Sequence, residues 1–138
     1  MNPQFRNEVP PIDQFVALFR TTGWPCATTL AEFAEALANS WYVVAVYVED
    51  RLVGAGRIVT DHVMHAMIYD LIVDPAFQRQ GIGTQILDRL VTQCLNAHIR
   101  DIQLFCATGK RGFYEKHGFV ARAADAPGMQ YSLFVEAS

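Results

Sequence analysis

Residues 64–95 constrain the fold of this 138-residue chain more than any other stretch. The segment MHAMIYDLIVDP, 64–75, carries too many apolar side chains for one dry face and one wet face, so it predicts a strand buried on both sides and ended by Pro75. From residue 82 onward Ile82, Ile86, Leu87, Leu90, Val91, Cys94 and Leu95 fall on one helical stripe. Thr84, Gln85, Asp88, Arg89, Thr92, Gln93 and Asn96 take the opposite face. A doubly covered strand leading into a one-sided helix is the signature of a layered α/β domain.

The flanking segments fill in that layout. Residues 12–24 (IDQFVALFRTTGW) place Ile12, Phe15, Val16 and Phe19 on one helical face, with Gly23 and Pro25 as the stop. Residues 28–39 repeat the pattern through Leu30, Phe33, Ala34 and Leu37, with Thr28 or Thr29 as N-cap. Residues 41–48 and 52–59, joined at Glu49-Asp50-Arg51, predict an antiparallel hairpin. DIQLFC, 101–106, predicts a strand parallel to 64–75, because a strand-helix-strand crossover normally makes parallel neighbours. KRGFYEKHGF, 110–119, predicts a short helix capped by Gly118, and MQYSLFVE, 129–136, a strand closing the sheet; a lone strand at 3–6 precedes the first helix. The expected class is α/β: a mixed sheet flanked by helices on both faces, in a single domain over 1–138.

Charge and composition narrow the partners. Eleven Lys plus Arg against fourteen Asp plus Glu leave a net charge of -3, so the overall field attracts neither nucleic acid nor anionic lipid. No apolar run approaches the roughly eighteen residues that span a bilayer, and the N-terminus lacks an apolar leader core. Cys26, Cys94 and Cys106 are odd in number and share no CxxC spacing, which fits reduced thiols in a cytoplasmic protein. The four His lack the paired spacing of a zinc site, and no metal is expected.

Between strand and helix lies QRQGIGT, residues 78–84. A glycine-containing turn at a helix start gathers free backbone N–H groups and the positive end of the helix dipole, a setting for phosphate or pyrophosphate. A dinucleotide fingerprint would want Gly or Ala where Ile86 stands, and a Walker loop would want Lys-Ser or Lys-Thr where Thr84-Gln85 stand.

The pattern Gln78-Arg79-Gln80-Gly81-Ile82-Gly83 resembles the Q/R-x-x-G-x-G/A signature of the GNAT superfamily of N-acetyltransferases, and DLIVDP before it is similar to that family's lead-in. FYEKHGF, 113–119, resembles its late motif, about thirty residues further on. The resemblance covers roughly residues 42–120. It implies a GNAT-like sheet, mostly antiparallel, with a splayed parallel strand pair. It also implies acetyl-CoA as co-substrate, with pyrophosphate on the amides of Arg79, Gln80, Gly81, Ile82, Gly83 and Thr84 and a pantetheine arm along Leu71, Ile72 and Val73. Tyr114 is the implied general acid toward the departing thiolate. The family often carries Asn before the last helix; here the region reads CATGKRG, which leaves Cys106, Thr108 or Lys110 to make that contact.

The implied reaction is direct transfer in a ternary complex to a primary amine, a small molecule in the first instance. A protein lysine or N-terminal acceptor, or a CoA-binding module without turnover, are the alternatives. An alkylamine of pKa about 10.4 is neutral in only about one molecule in two thousand at pH 7, so a proton must leave before attack. Asp70, Tyr69, His65 and Glu115 are candidates for receiving it, beside a water chain. Asp70 also reads as a structural acceptor for loop amides. Strand alternation turns Asp70 away from Tyr69 unless a bulge intervenes. Trp24, in TTGWPC, reads with Tyr69 and Asp70 as acceptor-site lining. Cys106 reads as a small buried thiol rather than a nucleophile, and the resemblance is compatible with a homodimer.

Overall fold

A mixed sheet carries the chain order directly in its strand order. In the computed structural model, which describes residues 2–134, the neighbours run β1 (Gln4–Asn7), β2 (Tyr42–Val48), β3 (Arg51–Thr60), β4 (His65–Val73) and β5 (Asp101–Leu104). The first three pairings are antiparallel and β4–β5 is parallel. The described helices are α1 (Ile12–Arg20), α2 (Leu30–Ala38), α3 (Ile82–Asn96) and α4 (Arg111–Lys116). The residues fall into two compact units, one ending at Leu104 and the other beginning at Phe105.

In the first unit, opposite faces of β3 meet different helices. Ala55 joins Phe15, Leu18, Leu37, Ala45, Tyr47, Leu52 and Ile72 in the cluster under α1 and α2. Gly54 and Gly56 face α3: a Cβ on Gly56 would lie 2.9 Å from both Ile86 Cγ2 and Leu90 Cδ1, and one on Gly54 3.1 Å from Ile86 Cδ1. The helix therefore lies on β3 at a distance only glycine permits. Ile82, Ile86, Leu87 and Leu90 are fully buried there, which fixes where α3 begins.

Local chemistry sets the helix ends. Thr29 caps α2 in a capping box, its side chain accepting from Glu32 N while Glu32 accepts from Thr29 N. The α1 helix stops at Arg20, short of residue 24, because the Thr21 and Thr22 hydroxyls bond back to the Leu18 and Phe19 carbonyls and Gly23 turns left-handed at φ +70.

Two strand expectations change. β5 ends at Leu104 instead of 106. No strand forms over 129–134, where Ser132–Phe134 make a single 3-10 turn and Met129, Tyr131 and Leu133 are exposed; residues 135–136 lie outside the described residues. An alternating pattern defines a face, but a strand also needs an edge to pair with.

Candidate active site

The turn between β4 and α3 is built to present amides. Asp74 begins it: its Oδ1 accepts from Ala76 N at 2.9 Å and starts the one-turn 3-10 segment Pro75–Phe77. Gln78 Nε2 then reaches back to the Val73 carbonyl at 3.0 Å. Arg79 and Gly81 both adopt left-handed conformations, φ +65 and +82. No side chain caps α3, and its first backbone bond runs from Gln85 N to Gly81 O. The amides of Ile82, Gly83 and Thr84 thus start the helix without intrahelical acceptors. An alternating left-handed turn ahead of such a terminus forms an anion-binding concavity.

β4 offers a strand edge beside this loop. Its pairing with β5 runs only from His65–Asp101 to Ile68–Leu104, whereas β4 itself continues to Val73. On its other side Val73 and Ile72 pair with Gly54 and Ala55, and Tyr69 pairs with Arg57, so Asp70 and Leu71 together oppose Gly56. That extra residue is a β-bulge. Leu71 comes within 3.5 Å of a Cβ placed on Gly56, on the α3 side, while Ile72 packs under α1 and α2. Both side chains are used in packing, and the outer backbone edge of Leu71–Val73 is what can receive an extended amide ligand.

The bulge also settles where Asp70 points. Asp70 sits at φ +56 and its Oδ2 accepts from Arg57 Nε at 2.7 Å. Arg57 Nη1 donates to Ser40 Oγ at 3.1 Å, and the guanidinium lies 5.4 Å from the Tyr69 ring centre. The carboxylate therefore lies on the same guanidinium as Tyr69, and its partner is a side chain, not the loop amides the sequence suggested. Trp24 packs edge-on against Phe19 at 5.6 Å and stays partly exposed.

Two other proton-acceptor candidates, His65 and Glu115, have partners of their own. His65 Nδ1 pairs with Asp101, across the first register of the parallel strands. Glu115 pairs with Arg111 one helical turn away, at 3.3 Å. Asp61, with three backbone amides from Val63 to His65 on its Oδ1, holds the β3–β4 turn, and those amides bring its pKa down to about 2.

In the second unit, Tyr114 is buried on α4, its ring 5.9 Å from that of Phe119. Burial, with the Cys106 sulfur as a lesser influence, pushes its phenol up to about 12. The hydroxyl therefore stays protonated across the physiological range and is a hydrogen-bond donor first. Gly118, φ +90, and Phe119 end the helix, Phe119 N bonding Tyr114 O at 3.1 Å. Cys106 is exposed, contrary to the buried thiol expected, with its Sγ toward Ala107 O at 3.2 Å. β5 stops at Leu104, so Cys106 lies outside the strand that was expected to hold it.

Sequence reasoning singled out neither Arg57 nor the Gly54–Gly56 pair. A glycine repeated at i and i+2 within VGAGRIV does signal a close approach from one face. Arg57 carries no such signal, since its partner Asp70 is reached only through the bulge.

The family described as the acetyltransferase (GNAT) domain matches residues 21–128. The chain is similar to "Histone acetyltransferase TAP1" of Glycine max, 33% identical over 124 residues, which are 82% of this chain and 53% of the relative. It is similar to "GCN5-related N-acetyltransferase 2, chloroplastic" of Arabidopsis thaliana, 32% identical over 127 residues, 78% of this chain and 49% of the relative. The chain thus spans about half the length of these curated relatives. A GNAT-family acetyltransferase of Streptococcus pneumoniae superposes with a TM-score of 0.79 at 26% identity, over 94% of this chain and 97% of that one.

Proposed function

The chain belongs to the GNAT family of acetyltransferases, and on that premise we propose that it transfers the acetyl group of acetyl-CoA directly to a primary amine, a small molecule in the first instance. The observation that carries this reading is the left-handed pair Arg79 and Gly81 in front of an uncapped α3. The CoA pyrophosphate rests on the amides of residues 79–84, with the Arg79 charge beside it. The pantetheine arm adds to the β4 edge at Leu71–Val73, where pairing with β5 has ended. The family match spans both compact units, which supports treating the chain as one acetyltransferase domain.

In the reaction the neutral amine attacks the thioester carbonyl, the C–S bond breaks, and the CoA sulfur leaves as thiolate while the nitrogen gives up a proton to water. Tyr114 donates to that sulfur. Its raised pKa makes it a weak acid in the ground state, so the proton moves only as charge develops on sulfur. Asp70 has Oδ2 on Arg57, leaving Oδ1 for an N–H of the acceptor; Tyr69 and Trp24 line the approach. Acetyl-CoA with a panel of small amines, read as free thiol released, tests the proposal; no turnover with any amine would favour a CoA-binding module.

One observation favours a second acceptor class. The 33%-identical relative is named a histone acetyltransferase, so lysine peptides belong in the same panel. No described helix is long and apolar enough to cross a membrane. The three free cysteines fit a reducing compartment, the cytoplasm on the sequence reading. Chloroplastic names among relatives make a plastid the alternative, which fractionation decides.

A further inference from the structure

Arg51 lies outside every group assigned to the reaction, yet it holds the first residue of the 74–84 turn. Glu49 and Asp50 are both left-handed, φ 50 and 66, and close a hairpin in which Val48 pairs with Arg51. Two-residue turns of that hand match the twist of the flanking strands. Counting back from the Gly54–Val73 pair, Arg51 runs alongside the chain just beyond the end of β4. Asp74 N continues the ladder to Val53 O at 2.8 Å. There Arg51 Nη2 donates to Asp74 Oδ2 at 2.8 Å, and the guanidinium lies 5.6 Å from the Phe77 ring centre.

The two partners differ in exposure. The Asp74 side chain is 12% exposed and the Arg51 side chain 61%. Asp74 spends one oxygen on the Ala76 amide and the other on Arg51, so a single buried carboxylate ties the turn to the neighbouring strand.

That tie bears on the amides downstream. Arg79 at φ +65 is a costly conformation for a non-glycine residue and persists only where both ends of the segment are fixed. The burial of Ile82, Ile86, Leu87 and Leu90 fixes the downstream end. Upstream, the fixed point is Asp74, held from β3 by Arg51.

We infer that Arg51 is a positioning residue for the acetyl-CoA cradle, keeping residues 79–84 in their ligand-ready conformation through Asp74 and Phe77. The inference rests on reading those residues as the cradle. Without Arg51, Asp74 keeps its side-chain bond to Ala76 and its backbone bond to Val53 but loses its side-chain link to β3, and the ready conformation is populated less of the time. Apparent affinity falls by that fraction, while chemistry in the loaded complex is untouched.

The experiment compares wild type, Arg51→Ala and Arg51→Lys by calorimetric binding of acetyl-CoA, by steady-state kinetics with a small primary amine that the wild type acetylates, and by hydrogen exchange at the 79–84 amides of the free protein. Arg51→Ala should raise both Kd and KM for acetyl-CoA about five- to tenfold, leave kcat within about twofold, and speed exchange at those amides. Arg51→Lys should recover part of the affinity. Should Arg51→Ala fail to fold, Arg51→Met, which keeps an apolar stem against Phe77, carries the same prediction. Wild-type binding with an unchanged Kd in the variants overturns this inference and leaves the cradle reading standing. A wild type that binds no acetyl-CoA overturns the cradle reading and this inference with it.

Discussion

Arg57 Nε and Asp70 Oδ2 stand 2.7 Å apart, both side chains less than one-fifth exposed, across the bulge where β4 fits two residues against one of β3. The pair compensates for a left-handed aspartate in mid-strand and brings its carboxylate to the guanidinium that Tyr69 also faces. Removing either partner leaves a largely buried charge alone. Arg57→Ala should cost about 1–3 kcal/mol in urea unfolding, and the Arg57→Ala/Asp70→Ala double variant less than the sum of the singles.

Asp70→Asn keeps the shape at Oδ1 and removes the charge offered to the acceptor. The acceptor KM should rise about tenfold, with kcat changed less than about threefold. A kcat loss of a hundredfold or more at unchanged KM would instead make Asp70 the proton acceptor.

Tyr114→Phe should lower kcat about a hundredfold and leave the acetyl-CoA KM within a factor of about three, because the hydroxyl acts on sulfur only as the C–S bond breaks. Stopped-flow release of thiol measures the chemical step directly. Full activity in this variant would remove Tyr114 from the mechanism.

Alkaline titration should show late ionisation at Tyr47 and Tyr114. Burial is the first cause that pushes both Tyr47 and Tyr114 up to about 12; at Tyr47 the hydrogen bond to Glu8 adds to it, at Tyr114 the Cys106 sulfur. A folded-state pKa above the unfolded value near 10 means the contribution to stability is complete below about pH 10 and is lost as pH rises toward 12. Absorbance at 295 nm should show late phenolate formation, and Tyr114→Phe should remove one late equivalent.

Two glycine substitutions should separate binding from folding. A Cβ on Gly81 meets nothing within 4 Å, so Gly81→Ala costs only the left-handed conformation, about 1 kcal/mol, while acetyl-CoA affinity falls about tenfold or more. Gly56→Ala drives a methyl to 2.9 Å from Ile86 and Leu90 and should cost about 1–3 kcal/mol without a selective effect on acetyl-CoA affinity. Equal affinity in Gly81→Ala would show that this turn binds no phosphate.

Much of the frame was legible because it depends on local periodicity. The stripe from Ile82 to Leu95 gave α3, the apolar-rich run gave β4, and Gly81 marked their junction, but β4 is not buried on both sides as expected: Ala66, Ile68 and Ile72 are buried while His65 and Tyr69 are exposed. Helix phase is written in neighbouring residues, as is the capping box at Thr29 and Glu32.

What tertiary structure decided were relations between residues far apart in the chain. Nothing local to RLVGAGRIV, residues 51–59, pairs Arg57 with Asp70 or Arg51 with Asp74; hairpin register and a one-residue bulge do. The same holds for Arg79, whose left-handed conformation no residue type there signals, and for 129–134, whose alternation formed no strand. By itself the sequence determined most of the described helices and strands and the glycine-containing junction between β4 and α3. Register decided which charges meet beside that junction, because a shift of one residue along a strand turns every side chain to the other face.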